Sequence, residues 1–125
     1  MHLDGITGAI IESSILIHRR LGPGVFESVY ETVLGCMLAR RGLHVERQRL
    51  VSFTFDDVRF EQGFRIDLLV ERSVIVEVKS VDRVAPVHRK QLLTYLRLTN
   101  LRVGLLLNFG AETMKEGITR VVNDP

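Results

Sequence analysis

Cysteine is almost missing from this sequence: Cys36 stands alone. An intrachain disulfide and a cysteine-built zinc site are therefore excluded. The expected setting is reducing and cytoplasmic. Long apolar runs are missing too, and the few-residue stretches present cannot span a bilayer. The first residues carry Asp4 and Glu12. They lack a basic start, a long apolar stretch and a small-residue cleavage site, so no secretory leader is expected. Tryptophan is absent, and proline occurs three times. Charge of one sign is scarce, with 17 Lys and Arg against 15 Asp and Glu, a net +2. A nucleic-acid partner would have to meet local patches, because no global field draws it in. What remains is ordinary globular material, 46% apolar and 26% charged. Disorder and collagen-like structure are excluded. At 125 residues the chain is expected to form a single domain over 1–125. It has no room for a separate recognition domain, which points to a partner or a homodimer.

Apolar spacing predicts a helix over 3–20, with Ile6, Ile10, Ser13, Leu16 and Ile17 on one face. Leu21-Gly22-Pro23-Gly24 ends it. A second helix is predicted over 25–41, with a stripe of Val29, Val33 and Met37 widened by Phe26, Tyr30, Leu34 and Leu38. Cys36 is expected in the core. The period then drops to two. Residues 45–55 and 58–70 alternate as strands around Asp56-Asp57, with Phe60, Gln62, Phe64, Ile66, Leu68 and Val70 sharing a face. A third strand is expected over 74–79, a helix from Pro86 to about 99, and a buried strand over 103–109. The segment 117–122 reads as a last short strand or a frayed end. The order α-α-β-β-β-α-β predicts an α/β domain with a mixed sheet: a three-strand meander, then a helical crossover to a parallel strand.

Chemistry concentrates at Asp67 and Glu77-Val78-Lys79. Alternation puts Glu77 and Lys79 on one face of their strand. If Glu71-Arg72-Ser73 forms a three-residue loop, Val70 pairs with Val74, and Asp67 lies opposite Glu77 with side-chain roots about 5 Å apart. Two facing carboxylates repel unless a cation joins them. Mg²⁺ suits such hard oxygen donors, and Mn²⁺ is the alternative. Lys79 adds a fixed positive charge that either orients a metal-bound water or stabilises charge developing on phosphate. A solvated salt-bridge face is the competing reading. The apolar neighbours Ile66, Leu68, Val74, Ile75, Val76 and Val78 argue against it, since central strands rarely carry idle charges.

Asp67 with Glu77-Val78-Lys79 resembles the signature of the PD-(D/E)XK nuclease superfamily, with Ile66 where its name has proline. Gly24-Val25-Phe26-Glu27-Ser28-Val29-Tyr30 resembles the motif that names the GxxExxY family, a branch of that superfamily. The likeness continues through Gly63 to Asp67, Pro86 to His88, Gln91 to Leu96 and Asn108-Phe109-Gly110. It implies a restriction-endonuclease-like fold and metal-dependent hydrolysis of phosphodiesters in nucleic acid, DNA ahead of RNA. Asp67 and Glu77 would hold Mg²⁺ and Lys79 would be catalytic. Glu27 would extend the acidic cluster, and Gln91 would lie near the lysine. His88, Arg89 and Lys90 are candidate phosphate contacts, though a solvated face explains them equally well. Arg40, Arg41, Arg47 and Arg49 form a second basic cluster with the same ambiguity. Tyr30 reads as packing. The alternative function is a binding or regulatory module that keeps the nuclease fold without catalysis. No membrane partner is expected.

Overall fold

The structure, a computed structural model, describes residues 2–124. Helix α1 (Leu3–Leu21) buries Ile6, Ala9, Ile10, Ser13 and Ile17, a face set by the helical period. It stops at Gly22, whose φ of 74° lies in the left-handed region glycine tolerates. Helix α2 (Glu27–Arg40) follows, and buries Tyr30, Glu31, Leu34, Gly35 and Leu38. The sequence-based stripe is thus rotated. Val29 is exposed, Val33 and Met37 are half-buried, and Phe26 lies outside the helix at 82% exposure. Cys36 is exposed as well, correcting its expected core position. The reason is that the groups most deeply packed against the sheet recur at 30, 34 and 38, and position 36 falls on the far side of that stripe.

Strands β1 (Val45–Phe55) and β2 (Val58–Val70) pair antiparallel. Their two-residue turn, Asp56-Asp57, has φ of 50° and 64°, the doubly positive pattern that matches strand twist in tight hairpins. β3 (Val74–Lys79) continues the meander, and β4 (Val103–Asn108) lies parallel to it after the crossover helix α3 (Pro86–Thr99). The open tail resolves into a single helical turn, α4 (Met114–Gly117), and an edge strand, β5 (Ile118–Val122), antiparallel to β4. The sheet order is β1-β2-β3-β4-β5.

Helices α1 and α2 cover one face of this sheet and α3 the other. Val74, Val76 and Val78 point into the first core, together with Leu105 and Leu107. Ile75 and Leu106 point into the second, against Leu92 and Leu96. Strand β2 does not keep a single alternation. Ile66 belongs to the α3 side, whereas Leu68 and Val70 belong to the α1–α2 side. The ladder pairs Arg47 with Leu68 and Arg49 with Ile66, but skips Gln48 and Asp67 between them, and Gln48 has φ 51°. The ribbon therefore turns over at this point, which corrects the expectation that Ile66, Leu68 and Val70 share a face. A second irregularity lies between Val51 and Phe53. Beside it the Phe53 ring covers Gly63 so closely that any side chain there would collide with it.

Candidate active site

The loop Glu71-Arg72-Ser73 sets the geometry. Glu71 and Arg72 both have φ of 52°, and Ser73 N–H donates to Val70 O at 3.0 Å. Val70 then pairs with Val74 and Leu68 with Val76. The same register carries Asp67 to Glu77, and there the backbone ladder ends. Asp67 N–H donates to Glu77 Oε2 at 2.9 Å, and Val78 N–H donates to Asp67 Oδ2 at 2.8 Å. The two carboxylates thus replace main-chain carbonyls as acceptors and prop the strands apart. The turnover of β2 at Asp67 and the fork between β2 and β3 are one feature.

Electrostatics follow from this placement. Glu77 is 6% exposed. Burial first, and the Asp67 charge second, push its carboxyl up to about 8. Asp67 is also raised, chiefly by burial, against the lowering effect of the Val78 N–H. Lys79 opposes the rise in both, but forms no ion pair among the described residues. Across the site on α3, Tyr95 has its hydroxyl raised by burial and then by Glu77 and Asp67. Its ring stacks on Phe64 at 4.2 Å.

Glu27 approaches from α2: its Oε2 accepts Ser80 N–H at 3.1 Å, on the residue after Lys79. Ser80 Oγ donates in turn to Val25 O at 2.9 Å. Tyr30 is fully buried, stacks on Phe109 at 4.5 Å and 4°, and donates its hydroxyl to Gly22 O. It also accepts Val25 N–H, so it pins the turn that aims Glu27. Asn108 holds the loop beyond β3, accepting Val81 N–H at 3.0 Å and donating to Val81 O at 2.9 Å. Gly110 packs on that loop where a Cβ would strike the Val81 backbone.

The remaining candidates lie further out. Gln91 is exposed on α3 and makes no hydrogen bond to Asp67, Glu77 or Lys79 among the described residues. His88 Nδ1 accepts Ala85 N–H at 3.3 Å, which ties it to the start of α3. Arg89 and Lys90 are exposed on the same first turn. The second basic cluster is largely committed: Arg41 pairs with Glu12, Arg47 with Glu31 and Arg49 with Glu46. Sequence reasoning missed Glu31. It is 5% exposed, held by Arg47 at 3.1 Å and by the Gln48 amide, and its charge raises both Asp67 and Glu77. Its i+4 offset from Glu27, one helical turn along the same face, was the available signal.

Helices on both faces of a mixed sheet, a crossover between β3 and β4 and an acidic fork where the β2–β3 ladder ends together make a restriction-endonuclease-like fold. Residues 4–121 match the PD-(D/E)XK nuclease superfamily, and the chain belongs to it. Membership points to nuclease-type function on nucleic acid, in a superfamily that typically uses divalent metals. No curated protein and no solved structure matches the chain. No helix among the described residues is long and apolar enough to cross a membrane.

Proposed function

We propose that this protein is a divalent-metal-dependent nuclease, with Mg²⁺ or Mn²⁺ held by Asp67 and Glu77 and with DNA as its substrate. The observation that carries the reading is the fork itself: a buried and a half-buried carboxylate bonded to each other's strands, with no ion pair to either among the described residues. The donor set fits such an ion. Each carboxylate gives one oxygen to a backbone N–H, and Asp67 Oδ1 and Glu77 Oε1 have no protein hydrogen bond among the described residues. No third His, Cys, Asp or Glu gathers with them into a metal cluster among the described residues. That suits an ion that keeps water and phosphate oxygens in its remaining positions.

When bound, the cation supplies Lewis acidity toward water and phosphate. The chain's own residues do the rest. Lys79 points its ammonium toward the negative charge that builds on the phosphate as water adds and the ester bond breaks. Glu27 positions Lys79 by holding the next backbone N–H. Gln91 orients the nucleophile, while Arg89, Lys90 and Nε2 of His88 contact the phosphate backbone. The motif Gly24, Glu27 and Tyr30 supports assignment to the GxxExxY branch. Gly24 turns the chain at φ 113°, Tyr30 fixes the turn, and Glu27 reaches the active-site strand. The single domain and a cytoplasmic setting belong to the same reading.

The test is cleavage of labelled single-stranded, duplex and branched DNA, and of RNA, with Mg²⁺, Mn²⁺ or EDTA. Lys79→Met keeps most of the stem and removes the charge. Cleavage is expected to fall by about 100-fold or more with matched melting curves. Equal cleavage by the variant and the wild type at saturating metal overturns the role of Lys79. A wild type that cuts nothing with any metal, yet binds nucleic acid, supports a binding module in its place.

A further inference from the structure

Phe26 satisfies neither of the roles its position offers. It is the N-cap of α2, where Ser, Thr, Asp or Asn would accept a helical N–H, and its side chain caps nothing. Its ring is 82% exposed, the most of any large apolar side chain among the described residues. Val25 and Val29 beside it are also exposed. A residue that breaks local and packing preferences together marks a place shaped by function. Phe26 stands at the rim of the candidate active site, because both its chain neighbours are tied to Ser80. Val25 O accepts the Ser80 hydroxyl at 2.9 Å and Glu27 Oε2 accepts the Ser80 N–H at 3.1 Å. Ser80 directly follows Lys79. The backbone that carries Phe26 is therefore anchored beside Ser80, the residue that follows Lys79.

We propose that Phe26 is a stacking platform for an unpaired nucleobase next to the scissile phosphate, which makes strands with unpaired bases the preferred substrate. The inference rests on the nuclease reading above. An aromatic face accepts any base, so the contact selects for the unpaired state and not for sequence. In a duplex the neighbouring base is already stacked and paired, and the ring finds no free face.

The chain has no tryptophan, so Phe26→Trp installs a single fluorescent reporter at the site. The experiment titrates wild type, Phe26→Ala and Phe26→Trp with fluorescein-labelled oligothymidylate and with a matched duplex. Calcium replaces magnesium to hold back cleavage, and anisotropy and tryptophan emission are both read. Phe26→Ala is expected to bind the single strand about 5- to 100-fold more weakly, with duplex binding unchanged and with a wild-type melting curve. Phe26→Trp should bind like wild type, with emission quenched saturably by the single strand and not by the duplex. Wild-type affinity in Phe26→Ala, or unquenched emission while anisotropy reports binding, overturns the proposal and leaves the nuclease reading intact. Equal quenching by the duplex overturns the unpaired-base preference. Loss of self-association in Phe26→Ala, with nucleic-acid binding intact, assigns the ring to a contact between copies and also overturns it. A wild type that neither binds nor cuts any strand removes the nuclease reading, and this proposal with it.

Discussion

Glu31 and Glu77 are almost equally buried, at 5% and 6% exposure, but the chain provides a cation for only one of them. Glu31 is gripped by the Arg47 guanidinium and the Gln48 amide. Glu77 has a backbone N–H, a second carboxylate and no ion pair among the described residues. A buried charge needs a compensating partner or a proton. Glu31 has its partner built in and serves as structure. Glu77 has its carboxyl raised by burial and by the Asp67 charge, so its charged form is the one the fold disfavours, and the proposed metal would supply the missing counter-charge. The difference is that equal burial leaves one carboxylate with a built-in ion pair and the other with none among the described residues.

The largest expected break in this comparison comes from Glu77→Gln, which keeps an acceptor for Asp67 N–H and removes the charge. Metal-dependent cleavage should fall by roughly two orders of magnitude or more. The variant should also change the pH dependence of stability in EDTA. In the wild type, Glu77 is raised from 4.5 to about 8. Its neutral form therefore contributes stability in full below about pH 4.5, and that contribution is lost as pH rises through about 8. Asp67, raised as well, acts in the same direction. Thermal melts of the wild type minus the variant should thus become steadily less favourable between those pH values. Added Mg²⁺ should reverse the loss at pH 8 in the wild type alone. A pH-independent difference would mean that Glu77 already has its counter-charge.

Arg47→Met tests the other carboxylate. It removes both charged hydrogen bonds that Arg47 donates to a buried group, so stability should fall by about 1–3 kcal/mol in denaturant melts. Gln48 still holds one oxygen, which keeps the loss from being larger. With Glu31 less restrained, metal affinity should shift far less than in Glu77→Gln. The smallest effect sharpens the baseline. Arg59 and Glu61 form an exposed pair at 3.1 Å on the β1–β2 ribbon. Arg59→Ala should change stability by under about 0.5 kcal/mol and leave cleavage unchanged, since exposed pairs contribute little.

Much of the arrangement was legible in the sequence because it depends on parity and loop length. A three-residue loop at 71–73 was enough to place Asp67 opposite Glu77. The crossover before β4 followed from a helix lying between two buried strands. The turnover at Gln48 and Asp67 was not legible. Both strands alternate smoothly through it, and glutamine is not a residue that announces a positive φ. The face of α2 was misjudged for a related reason. Apolar residues occur around most of that helix, so the period alone could not rank Tyr30, Leu34 and Leu38 above Val29, Val33 and Met37. The Glu31–Arg47 pair joins a helix to a strand, and composition does not reveal such a partner.

The carboxylate fork also turns two backbone amides into witnesses of the site's state. Asp67 N–H and Val78 N–H lie where a regular ladder would bond them to carbonyls, whose acceptor strength does not vary with pH or metal. Here they bond to Glu77 Oε2 and Asp67 Oδ2, whose charge varies with both. Deuterium uptake at these two positions is therefore expected to follow ionisation and, on the proposed reading, metal binding, while uptake along the rest of β3 reports only the opening of the sheet. The same two hydrogen bonds that hold the strands apart would make occupancy of the proposed centre readable from the main chain, without a substrate and without turnover.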